Sequence, residues 1–306
     1  MTSKKKPTPR KRRSNTKSQT RKASVGRLKR FLKAFGASAI TSFGIASCAL
    51  NPQWRDELSL EPVLSQLGWP QAQQSAPPAA TSRGHVQTSF AQCPQFFPDR
   101  QPPVVPSGTA LRELCFSSFA ILHSGQTKTP VFVAERLNRR TLAQANGLPR
   151  TDRFYADARL RRAERAELDD YRGSGYSRGH MAPAADMATP DAMAQSFSLA
   201  NMVPQDQRQN AGPWSRIEQD TRKYVMRATG DVFVFTGPVY DSRPATIGAG
   251  RVAVPHQIFK LVYDADTGRS WVHWQANSSD AKVGAPMSYD EFVRRTGMHL
   301  LPSVRG

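Results

Sequence analysis

From about residue 110 the chain is a succession of short apolar runs, each closed by a polar, Gly or Pro stop. Runs at 116–122 and 131–134, rich in β-branched and aromatic residues, predict strands. Further strands are predicted at 231–236 (DVFVFT, halted by Gly237 and Pro238), 258–263 (IFKLVY) and 270–276. Turn-forming residues from Asp264 to Gly268 join the last two into a predicted hairpin. Helical signals fall at 191–194, 214–229 and 288–296, where Ser288 and Glu291 have the spacing of a capping box. No internal repeat or heptad pattern is visible, so the pattern predicts a mixed α+β domain.

Composition divides the chain. Residues 51–85 are rich in Pro, Gln, Ala and Ser and read as a linker, with the folded domain expected over 86–306. Residues 1–50 hold 14 Lys or Arg and no Asp or Glu, which leaves 29 basic against 24 acidic residues for the remainder. Most of the net charge of +19 therefore belongs to the tail, and the remainder is only mildly basic. Residues 1–33 read as a basic disordered segment able to hold phosphates or an anionic membrane surface. Residues 34–50 are uncharged and weakly apolar, and Ile45-Ala46-Ser47-Cys48 has the form of a bacterial lipobox. Basic residues followed by an apolar run describe an export signal, giving an exported, periplasmic or membrane-anchored protein lipidated at Cys48. A plain basic tail and an organellar transit segment fit the same composition. If Cys48 carries lipid, Cys93 and Cys115 remain as a pair, either bridged or as two buried thiols. No cysteine and histidine spacing suits structural zinc.

Between 170 and 225 the residue types change. DYRGSGYSRGHMAPAADM (170–187) places three glycines, two arginines and His180 in a loop-like stretch, where Gly allows close approach of a ligand. Downstream, Asn210, Trp214, Glu218 and Arg222 recur every four residues, which on a helix sets them along one face. A Trp-anchored amphipathic helix with a Glu218–Arg222 surface pair fits that row equally. Gly212-Pro213 predicts a helix start beside Asn210, at a terminus that favours phosphate. His256 and His273 read as locally hydrogen-bonded core or edge residues, and Trp271 and Trp274 as core aromatics or base-stacking rings.

SRGHMAPAADM, SFSLANMVPQDQRQNAGPW and IEQDTR, with PVFVAERL before them and TGPVY and VPHQIFKLV after, closely resemble the DNA/RNA non-specific endonucleases, the group containing Serratia nuclease and mitochondrial endonuclease G. The resemblance covers about half of the chain and implies the ββα-metal (His-Me finger) fold, a mainly antiparallel sheet with flanking helices. It implies His180 as general base and Asn210 as the direct ligand of Mg2+ or Mn2+, with Glu218 contacting the ion through water. Arg178 and Arg222 match phosphate-facing arginines, Arg150 or Arg153 a further one, and Asn201 an asparagine that holds the histidine side of the site. Ser177 stands where the family usually has Asp, as in its mitochondrial endo/exonuclease branch, and the missing charge should alter the histidine's pKa. The implied activity is hydrolysis of DNA and RNA to 5′-phosphate ends, in a family where homodimers are common. Hydrolysis of other phosphodiesters and non-catalytic nucleic-acid binding are the competing readings.

Overall fold

The computed structural model describes residues 79–81 and 84–302. Three short strands come first, β1 (Ala79–Thr81), β2 (His85–Gln87) and β3 (Val104–Pro106), paired in that order. Then follow β4 (Leu111–Cys115), β5 (Phe119–Ser124), β6 (Thr129–Leu137), α1 (Arg139–Ala145), α2 (Leu168–Tyr171), β7 (Ser177–His180), α3 (Pro190–Ser196) and β8 (Met202–Gln205). Helices α4 (Gln207–Gln209) and α5 (Ser215–Val225) flank a π-helical turn, Asn210–Trp214. The chain ends with β9 (Val232–Val239), β10 (Thr246–Ile247), β11 (Val252–Ala253), β12 (Gln257–Asp264), β13 (Ser270–Ala276) and α6 (Tyr289–Thr296).

The central sheet is antiparallel, in the order β13-β12-β9-β6-β5-β4. Because side chains alternate across a strand, each run contributes to two faces, and both are buried. Ala120, Leu122, Phe132, Ala134, Phe235, Phe259 and Leu261 build one face, covered by Phe90 and Phe97 from the segment after β2 and by Phe292 of α6. On the other, Ile121, Val133 and Ile258 pack against Met181, Val203, Trp214 and Ile217, which come from the β7–β8 hairpin and the helix after it. This second face carries three polar residues in an apolar field: the register aligns Thr236 with Val133 and Lys260, and Glu135 lies two residues from Val133.

Several elements differ from the sequence reading. Residues 177–180, expected as loop, form β7, because their amides pair with β8. The strand expected at 116–122 begins at Phe119; Phe116 lies in the preceding turn, its ring stacked on Phe119 at 4.5 Å. The helix expected to start near Pro213 starts at Gln207, where Asp206 caps it by accepting from the amides of Arg208 and Gln209. Ser288 caps α6, but Glu291 bonds Arg294 and Arg295, so only half of the capping box forms. Residues 79–81, inside the expected linker, pair with β2. The segments 1–33 and 34–50, with Cys48, lie outside the described residues. Among the described residues no helix is long and apolar enough to cross a membrane.

Cys93 and Cys115 are bridged, with Cα atoms 5.8 Å apart, tying the segment after β2 to the end of β4. The closed loop spans 22 residues. Loop-closure entropy for that length predicts that Cys115→Ser lowers unfolding free energy by about 3 kcal/mol in urea titrations. A loss under about 1 kcal/mol would show that the covering segment is held by its phenylalanines alone.

Candidate active site

His180 ends β7, opposite Met202 of β8. The hairpin can close because residue 179 is glycine: a Cβ there would collide with the Gln205 side chain, which lies across its Cα. Gln205 also donates to Gln209 Oε1 at 2.6 Å, so the hairpin is bonded to the first turn of the helix that follows. Behind the histidine, Asn201 is fully buried. Its Oδ1 accepts from Ala182 N, and its Nδ2 donates to the carbonyls of Ala182 and Ser196, each at 2.9 Å. Every polar atom of that amide is spent on backbone, so Asn201 positions the residues after His180.

The imidazole sits between two rings, Phe197 at 5.0 Å edge-to-face and Phe154 at 5.7 Å. Two cations cap those rings, Arg178 4.1 Å from the Phe154 centroid and Arg150 5.3 Å from that of Phe197. Burial lowers the His180 pKa to about 3, helped by the positive charges of Arg150 and Arg178, while Asp152 pulls the other way. The ring is therefore neutral at physiological pH, and its Nε2 is buried without a protein partner among the described residues. Arg178 likewise has no ion-pair partner there, whereas Arg150 pairs with Asp152 at 3.0 Å. Both of the arginines that the sequence left open are exposed, and Arg150 is the one whose charge reaches the histidine.

The helix supplies the second half. Pro213 lacks an N–H and widens the hydrogen-bond ladder, so Ser215 N bonds back to Asn210 O in a π-turn, a feature common at functional sites. The turn leaves Trp214 fully buried as an anchor. The Asn210 side chain is partly exposed and makes no hydrogen bond among the described residues. Arg222 is not paired with Glu218, as a surface pair would require; it donates to Asp186 Oδ1 at 3.0 Å. Glu218 has no ion-pair partner at contact distance among the described residues. Burial raises its carboxyl to about 7, Lys260 and Arg222 lower it and Asp186 raises it further. Beneath lie Lys260, donating to Thr236 Oγ1 at 2.7 Å, and Glu135, fully buried with neither carboxyl oxygen bonded. Burial, then the nearby Asp186 charge, raises the Glu135 pKa well above the carboxylate range.

The sequence reading missed Asp186, Glu135 and Lys260. The last two had a signal, as charged residues at inward positions of apolar strands. His256 and His273, both expected to be locally bonded, each have a buried Nδ1 without a hydrogen-bond partner among the described residues, although that of His256 lies 3.4 Å from Asp241. Trp271 packs on Tyr224, and Trp274 lies beneath Arg295.

The described residues contain no cluster of three or more His, Cys, Asp or Glu arranged to hold a metal. The donors that are present, an unbonded amide at Asn210 and a half-buried carboxyl at Glu218 lacking a contact cation, fit a hard dication that keeps most of its waters.

Truncating the Asn201 amide leaves one buried N–H and two buried carbonyls without it. Asn201→Ala is expected to cost about 3 kcal/mol of stability by chemical denaturation, with Asn201→Asp intermediate. A cost within about 0.5 kcal/mol would mean that water replaces the clamp.

The sequence profile of the DNA/RNA non-specific endonucleases matches residues 99–303. The mitochondrial nuclease EXOG of Xenopus laevis is 34% identical over 174 residues, 53% of this chain and 47% of that protein. Human mitochondrial endonuclease G is 32% identical over 164 residues, 50% of this chain and 54% of that protein. The chain thus spans about half the length of the curated relatives it matches. Among solved structures, a chain in the EndoG/EndoGI complex, a structure concerned with EndoG inhibition, superposes with a TM-score of 0.57 at 25% identity, covering 72% of this chain and 92% of that one. A neutral histidine on a strand hairpin, followed by a helix bearing Asn, Glu and Arg, agrees with that match, and the chain belongs to the DNA/RNA non-specific endonuclease family.

Proposed function

We propose that this chain is a metal-dependent, sugar-non-specific endonuclease that hydrolyses phosphodiester bonds of DNA and RNA and leaves 5′-phosphate ends. The observation that carries the reading is the state of His180: an imidazole kept neutral by burial and flanking arginines on a ring that is still partly exposed. The exposed side of that ring takes the proton from a water attacking phosphorus, a role worth about 10²–10⁴ in rate. Arg178 and Arg150 carry phosphate charge on the histidine side, and Arg222, oriented by Asp186, carries it on the helix side. Asn210, with Glu218 through water, would hold Mg2+ or Mn2+, which would supply Lewis-acid neutralisation of phosphate charge. Contacts of this kind address the backbone, so sequence selectivity is slight.

The basic tail is proposed to direct the chain to an exported or Cys48-anchored location, touching an anionic membrane surface. Organellar delivery is the alternative that the names of the mitochondrial relatives favour. A homodimer belongs to the same set of proposals.

The purified chain with Mg2+ is expected to nick plasmid DNA and degrade RNA. His180→Ala should reduce both by at least about 10²-fold while the circular dichroism spectrum stays unchanged. Nicking by that variant at the parent rate would reject His180 as the base.

A further inference from the structure

Arg150 and Arg222 approach the site from different elements, and the surface between them is a groove of about 620 Å³. One wall is α1 with the loop after it, including Leu142, Ala143 and Leu148, and the other is the end of α5 with Met226. Met193 contributes to the lining, and no Asp or Glu does. Two cations therefore bracket an apolar floor. The two walls are fixed to each other, because Arg139 Nε donates to Met226 O at 2.9 Å and Leu142 shares a packed cluster with Val225. Met226 remains 40% exposed, which few large apolar side chains among the described residues are.

We propose that this groove is a nucleobase subsite, occupied by an unpaired base attached to a phosphate that Arg150 and Arg222 hold. The inference rests on the nuclease reading above and adds the conformation of nucleic acid that the site takes. The chemistry matches a nucleotide at both ends: guanidinium groups for the phosphate, thioether and aliphatic surface for the flat apolar faces of the base. The volume lies within the roughly 300–1,000 Å³ typical of small-molecule sites. Asn146 is the one uncharged polar side chain in the lining, so the groove accepts a base without reading its edge. A base reaches such a groove only by leaving its stack, which costs least in single strands and at mismatches. Unpaired segments are accordingly the favoured substrates.

Binding without catalysis isolates the claim. Fluorescence anisotropy on the full chain, metal omitted, would compare a single-stranded DNA oligonucleotide with an abasic oligonucleotide of the same length and phosphate count. The parent protein is expected to bind the base-bearing strand about fivefold more tightly, equivalent to ~1 kcal/mol. Ala143→Leu, which fills the groove from an exposed helical position, and Met226→Ala, which removes an exposed wall, should each abolish that difference. Neither should alter the affinity for the abasic strand. Equal affinity of the parent for both strands, or a base preference that survives in both variants, would overturn the subsite. Plasmid nicking by the same preparations separates the two levels. Lost base preference with intact nicking rejects the groove alone, and base-dependent binding without nicking rejects the hydrolytic reading alone.

Discussion

A single carboxamide fixes the half of the site that carries the histidine. Asn201 is fully buried, and its three hydrogen bonds tie Ala182, just after His180, to Ser196 at the end of α3. Such a group stabilises one backbone conformation strongly, because any other leaves buried donors and acceptors unpaired. Its consequence is chemical. The imidazole is held between Phe154 and Phe197, largely shielded from water and beside two arginines, and so stays uncharged, as the proposed base requires.

The other half rests on polar groups set into an apolar sheet. Lys260, Glu135 and Thr236 occupy positions that in most strands would hold Val or Ile, beneath a helix bearing Glu218 and Arg222. Burying such a set costs free energy that hydrophobic replacements would avoid, so stability alone does not explain it. The arrangement instead gives the helix charges a fixed environment, with Asp186 orienting Arg222 and Lys260 offsetting the carboxyls above it. The close packing of Gln205 on Gly179 and its bond to Gln209 join the two halves into one unit.

The strands of the central sheet were legible because their alternation buries both faces, and their short turns mark where they end. The β7–β8 hairpin was not, since SRGH and MVPQ have no alternation and pair through backbone and a glycine contact that only the folded partner supplies. Pro213 was misread as a helix start because a π-turn tolerates proline within a longer helical run, and Asp206 caps that run earlier. The Gly-rich stretch and the spacing of four drew attention to His180, Asn210 and Glu218, and only the family resemblance gave them roles. Arg150 could not be told from Arg153 by spacing, because the loop between them and His180 has no periodic signal, and only the packing of Phe197 distinguishes them. Asp186, in a motif read for its histidine, acquires meaning from the distant Arg222.

Titration of the His180 ring by NMR in the metal-free protein tests the central claim most directly. A neutral ring whose chemical shifts stay constant from pH 8 down to about pH 4, with protonation only near 3, is the predicted result, because burial and the flanking arginines disfavour the charged form. Protonation near 6.5, the value of a free imidazole, would contradict it.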